Sequence, residues 1–196
     1  MNPVLQKNLF FVKEHIGYFK AAKNYDIFDP ETGEMILICR EPTLGFFTKV
    51  ARFTEFRTAS PFDVHVTTPD GDPVVRIKRG INLYRSRVNV LDETDEQIGT
   101  FQQKLMSIGG AFQVLGADGA PLCNLQGSWT GFQYQFVHSG QVLAEVDKKW
   151  TGLGKEMFTS ADNYVLRISE IVPPDNPIRL LIMGAVFCID MVLKAR

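Results

Sequence analysis

The chain has 196 residues, 45% of them hydrophobic and 22% charged, a composition that suits one domain, residues 1–196, with a substantial core. Its formal net charge of −1 argues against a molecule built as a whole to seek polyanions, so nucleic acid is not an expected partner and any membrane attraction must come from a local patch. Cys39, Cys123 and Cys188 are widely spaced and form no CxxC or Cys/His pairing, which excludes a disulfide framework or zinc site by motif and points to a reducing compartment.

In MNPVLQKNLFFVKEH (1–15) the apolar patch from Leu9 to Val12 is broken by Lys13 and Glu14. It is too short for the apolar core of a signal peptide, so export is not expected. Five hairpins follow. YDIFDPETGEMILICR (25–40) turns through Asp29, Pro30 and Gly33, and VHVTTPDGDPVVRIKR (64–79) through Pro69, Asp70 and Gly71. VNVLDETDEQIGTFQQK (88–104) turns at Asp92 to Glu96, FQVLGADGAPLCNLQG (112–127) at Asp118-Gly119, and YQFVHSGQVLAEVDKKW (134–150) at Ser139-Gly140. Asp and Gly supply the side-chain hydrogen bonds and positive φ that tight turns need. Trp129-Thr130-Gly131 recurs as Trp150-Thr151-Gly152 after the last two hairpins. The order is that of an antiparallel meander of ten or more strands, which closes on itself to remove its edges.

At the C-terminus Asn176 predicts a helix N-cap and Pro177 a first helical position. IRLLIMGAVFCIDMVL (178–193) is then apolar on every side, so it is buried in protein or in lipid. Sixteen residues reach only about 24 Å, short of the ~30 Å of a hydrocarbon core, and Arg179 and Asp190 each cost about 3 kcal/mol at mid-bilayer. The reading is a core helix over about 177–194 inside the barrel. Gly184, which costs about 1 kcal/mol in a helix, implies close approach to a wall. Arg179 and Asp190 each sit at the helix end their charge disfavours; Asp175 is a candidate partner for Arg179, and open barrel mouths are the alternative.

Residues 148–166 (KKWTGLGKEMFTSADNYVL) and 181–194 (LIMGAVFCIDMVLK) resemble the C-terminal part of phospholipid scramblases, and 8–36 (NLFFVKEHIGYFKAAKNYDIFDPETGEMI) resembles the start of the same domain. The resemblance places the chain in the wider superfamily of Tubby C-terminal domains and LURP-one-related proteins. It implies a mainly β fold, a closed antiparallel barrel of about twelve strands around a central hydrophobic C-terminal helix. It also implies a role with membrane lipids: phosphoinositide binding, or calcium-stimulated lipid transfer. The family's proline-rich N-terminal extension is not expected here, since the resemblance starts almost at Met1, and GINLYRSRVNV (80–90), where scramblases carry a palmitoylated cysteine cluster, holds no cysteine. The proposed calcium loop corresponds to SADNYVLRISEI (160–171). Asp162 and Asn163 match, but Ser160 replaces the leading acid and Ile171 the closing one. Calcium wants six to eight oxygens, so no cofactor is expected.

VRIKRGINLYRSRV (75–88) carries Arg76, Lys78, Arg79, Arg85 and Arg87 without an acid. On strands Arg76 and Lys78 share a face, as do Arg85 and Arg87. Such a patch suits an anionic phospholipid or phosphoinositide surface, where each basic residue adds about 1 kcal/mol; it equally suits a solvated outer barrel face. Arg52 and Arg57, with Phe53 and Phe56, extend it in sequence. KKWTGLGKE fails as a phosphate loop, because Lys149 and Glu156 stand where Gly and Ser/Thr are needed. No GxSxG occurs, and His15, His65 and His138 lack metal spacing. The expectation is a non-enzymatic, cytoplasmic domain, peripheral at the inner membrane face, that binds anionic lipid. Lipid scrambling and a soluble protein-interaction barrel are the alternatives.

Overall fold

Strand alternation decides the architecture. Val64 and Val66, Val75 and Ile77, Val88 and Val90 are all buried at every second position, with polar residues between. A surface of this kind curls around whatever fills it. The computed structural model describes residues 2–15, 24–42, 61–80, 87–104, 112–128, 133–148 and 163–189. Among the described residues twelve strands form one closed antiparallel barrel, each bonded to its neighbours in sequence. They are β1 (Leu9–Glu14), β2 (Tyr25–Phe28), β3 (Met35–Arg40), β4 (Phe62–Thr67), β5 (Pro73–Arg79), β6 (Arg87–Leu91), β7 (Gln97–Gln103), β8 (Phe112–Gly116), β9 (Pro121–Ser128), β10 (Gln133–His138), β11 (Gln141–Asp147) and β12 (Asn163–Ile168).

The five expected hairpins are β2–β3 through β10–β11, and their turns use the expected chemistry. Ser139 and Gly140 both take positive φ, +48° and +80°, the twist that a two-residue hairpin needs. Asp92 accepts from the backbone N–H of Thr94 and Glu96 at 2.8 and 3.0 Å. Closure comes from β1, which pairs with β2 on one side and β12 on the other, Phe10 opposite Leu166 and Val12 opposite Tyr164.

The bore is filled by α1 (Ile178–Cys188). Every residue from Arg179 to Ile189 is buried. Asn176 accepts from the Ile178 N–H through its side chain at 3.0 Å, so it caps the helix as expected. Residues 190–196, and Asp190 with them, lie outside the described residues. Gly184 faces the wall: a Cβ there would stand 3.4 Å from Val90 and 3.6 Å from Ile77. Phe187 packs on Tyr25 with ring centroids 5.2 Å apart.

Because neighbours alternate in direction, successive connections fall on opposite rims. The five tight turns and the 169–177 connection into α1 share one rim, the turn rim. Arg179 closes that end. Its Nε donates to the Pro173 carbonyl at 2.8 Å, Nη1 to those of Leu5 and Lys7 at 3.0 Å, and Nη2 to Asn8 Oδ1 and the Val172 carbonyl at 2.7 Å. The partner suggested by sequence, Asp175, is not among these acceptors. A planar fork is matched instead by carbonyls from two converging chain segments. The side chain is 1% exposed, so the open-mouth alternative also falls. Burial among neutral acceptors lowers the Arg179 pKa from its ordinary value.

Candidate functional site

The basic residues of β5 and β6 are sorted by strand parity. Val75, Ile77 and Arg79 point inward, Arg76 and Lys78 outward. Arg79 is 2% exposed, with its guanidinium carbon 4.7 Å from the centre of the Phe62 ring, a cation–π arrangement. It belongs to the interior near the end of α1, where burial pushes the Cys188 thiol up and the Arg79 charge partly opposes that. Arg76 faces out but is held by acids. Its Nε and Nη2 donate to Asp63 Oδ1 and Oδ2 at 2.8 and 2.7 Å, and Nη1 donates to both Asp95 oxygens at 3.0 and 3.1 Å. This fork-to-fork bond holds the Asp63 carboxyl below its ordinary range.

Lys78 and Arg87 are exposed. Lys78 pairs with Asn89 across β5–β6, so Arg87 lies two positions further toward the rim opposite the turns. Arg85, Arg52 and Arg57 lie outside the described residues. The structure therefore groups Lys78 with Arg87 near one strand end, ties Arg76 into an ion-paired clasp and turns Arg79 inside. Sequence grouping missed the clasp because Asp63 and Asp95 are thirteen and nineteen residues from Arg76.

The calcium candidates fare differently. Asp162 lies outside the described residues. Asn163 is 3% exposed and begins β12, opposite Lys13 of β1. From Asn163 to Ile168 the stretch is ladder: Tyr164, Leu166 and Ile168 are buried in the bore, and its backbone groups pair with β1 and β11. A strand with its carbonyls bonded to neighbours cannot wrap a cation, so Asn163–Ile168 does not form a calcium loop.

A polar groove of about 530 Å³ lies over β9–β12, lined by Gln126, Gln133, Gln135, Glu145, Asp147 and Arg167 among others. Gln133 donates to Asp147 at 3.0 Å and Gln135 to Glu145 at 2.8 Å, while Arg167 stands 3.6 Å from Glu145. Its signal in sequence was the alternation of Gln126, Gln133 and Gln135 along adjacent strands. Each carboxylate is occupied by an amide or guanidinium, an arrangement for holding strands in register rather than for proton transfer. Among the described residues no cluster of three or more His, Cys, Asp or Glu could hold a metal. The three cysteines are buried; burial raises the Cys123 thiol to about 12, far from the thiolate form that nucleophilic chemistry needs.

A family model described as Scramblase matches residues 8–194. The chain belongs to the Scramblase family. It is 26% identical over 197 residues to Altered inheritance rate of mitochondria protein 25 of Saccharomyces cerevisiae, a match covering 84% of this chain and 57% of that protein. The chain thus spans little more than half of the yeast relative's length. An X-ray structure of a protein from Arabidopsis thaliana superposes with a TM-score of 0.52 at 14% identity, covering 95% of this chain and 96% of that one. That likeness shows the fold alone. Among the described residues no helix is long and apolar enough to cross a membrane.

Proposed function

We infer that the chain is a non-catalytic, peripheral lipid-binding module that holds anionic phospholipid or phosphoinositide headgroups through the outward basic residues of β5 and β6. The observation that carries this reading is the exposure of Lys78 and Arg87 near one strand end, in a chain of a lipid-associated family. Arg76 is held in its clasp by Asp63 and Asp95 and is not counted in the patch. Arg85 completes the patch in sequence. Two basic residues near an anionic surface contribute about 2 kcal/mol, or about thirty-fold in affinity.

The test is flotation with vesicles of phosphatidylcholine, with and without phosphatidylserine or a phosphoinositide. The Lys78→Glu/Arg87→Glu variant is expected to lose about thirty-fold or more in anionic-vesicle affinity while keeping its urea midpoint. A variant that floats as the unaltered chain does refutes the assignment. Scrambling across a bilayer rests on family membership alone. It would require α1 to leave a bore in which it is buried throughout, or the barrel surface itself to enter lipid.

A further inference from the structure

The net charge of −1 hides a strongly polarised molecule. The turn rim consists of DPETGE (29–34), TPDGD (68–72), DETDE (92–96), the Asp118-Gly119 and Ser139-Gly140 turns, and SEIVPPDNP (169–177). These segments hold twelve Asp and Glu and not one Lys or Arg. The chain's twenty-two acidic residues less these twelve leave ten, set against all twenty-one Lys and Arg. One rim therefore carries −12, and everything else +11. Lys7 and Arg76 reach toward the acidic rim, on Asp29 and Asp95, and leave most of the separation intact. At the opposite strand ends stand the exposed Lys78, Arg87 and Lys104, on β5, at the start of β6 and just past β7, with Lys148 over the Tyr164 ring and the acids Asp63 and Asp147, which are engaged by Arg76 and Gln133.

The rims are far enough apart for the difference to act. A strand of seven residues is about 23 Å long and, tilted by about 40°, spans about 18 Å of barrel axis. That exceeds two Debye lengths, about 8 Å each, at physiological salt. A surface touching one rim is therefore screened from the other. Asp95 lies in the β6–β7 turn and is left back from the contact by end-on approach, while Asp63, opposite Lys78 across β4–β5, meets that end with its carboxylate held by the Arg76 guanidinium.

We propose that the barrel meets an anionic bilayer end-on, with the acidic turn rim facing solvent and the rim of Lys78, Arg87 and Lys104, all exposed, against the headgroups. This rests on the lipid-binding reading above and adds the orientation. It also sets the direction of α1, which starts at the acidic rim and runs toward the bilayer end.

The native cysteines are buried, so a single surface cysteine can be labelled in the full chain. Ser139→Cys marks the acidic rim and Gln133→Cys the opposite one, each with a small fluorophore. The vesicles are phosphatidylcholine and phosphatidylserine with a headgroup-nitroxide lipid. The label at position 133 is expected to be quenched on binding and that at 139 to be unaffected. Lys104→Glu, which lies off the β5–β6 face, is expected to weaken binding by about five-fold or more. The variant Glu31→Gln/Asp70→Asn/Glu96→Gln/Glu170→Gln/Asp175→Asn should change affinity by less than about three-fold at physiological salt, because that rim is screened. Quenching at position 139, or an insensitive Lys104→Glu with a sensitive Lys78→Glu/Arg87→Glu, overturns the orientation and leaves the lipid reading standing. Failure of the unaltered chain to bind any anionic vesicle overturns both.

Discussion

Gly99 and Gly184 both lie against the interface between α1 and the wall, and they respond oppositely to a methyl group. A Cβ on Gly99 would come within 2.5 Å of the Leu115 carbonyl oxygen and 2.7 Å of Leu181 Cδ2. The oxygen belongs to the β7–β8 ladder and cannot move without breaking it. Gly99→Ala is therefore expected to cost about 1–3 kcal/mol as overpacking. At Gly184 the nearest atoms are side-chain methyls at 3.4–3.6 Å, ordinary contact, so Gly184→Ala should gain up to about 1 kcal/mol of helix propensity. Urea midpoints read both. A stabilised Gly99→Ala, or a Gly184→Ala destabilised by about 1 kcal/mol or more, would show that the helix sits differently in the bore. In sequence the mid-helix glycine drew attention because its cost is local. Gly99 gave no signal, since its constraint comes from a strand and a helix far away along the chain.

At the scale of elements, what was legible followed the range of the forces involved. The five hairpins were readable because a turn's Asp, Asn, Ser and Gly act within five residues. β12 was readable from the alternation of Tyr164, Leu166 and Ile168. β1, with Phe10, Phe11 and Val12 buried in succession, was not, because no Asp- or Ser-based turn in the sequence joins it to β2 as one joins the strands of each hairpin. α1 was recognised as a core helix by its length and charges, yet the partners of Arg179 were misjudged because three of them lie more than 170 residues away. Those bonds make Arg179 the rivet between the N-terminal segment and the floor of the barrel. An ammonium has three donors where the guanidinium has five, so Arg179→Lys strands buried carbonyls at about 1–3 kcal/mol each. The variant is expected to lose about 2 kcal/mol or more, with amide exchange rising first across residues 2–8. Unchanged exchange in that segment would mean the N-terminus is held by Leu5 burial alone.

The whole molecule is where the sequence concealed most. Arg76, Lys78, Arg79, Arg85 and Arg87 read as one patch, but parity sent Arg79 inside and distant acids engaged Arg76. Conversely, a net charge near zero gave no hint of an acidic rim, which appears only once topology gathers the turns at one end. The same charge pairs govern the pH dependence of folding. The Asp63 carboxyl lies below its ordinary range because of the Arg76 fork, and Asp29 likewise because of the Lys7 ammonium 2.7 Å away. A carboxyl whose folded pKa is depressed contributes stability above its unfolded value, about 3.9, and loses it as pH falls through the lower folded one. Lys7 is raised by the same contact, so its share is present below about 10.4 and is lost as pH rises through its folded value. Stability should therefore be level through the neutral range, decline below about pH 4 and decline again at high pH. Asp63→Asn removes part of that acid decline and lowers the neutral plateau, while Asp70→Asn on an exposed turn serves as the control. Urea midpoints taken from pH 3 to 8 would decide: an acid decline equally steep in Asp63→Asn would place the responsible carboxylates elsewhere.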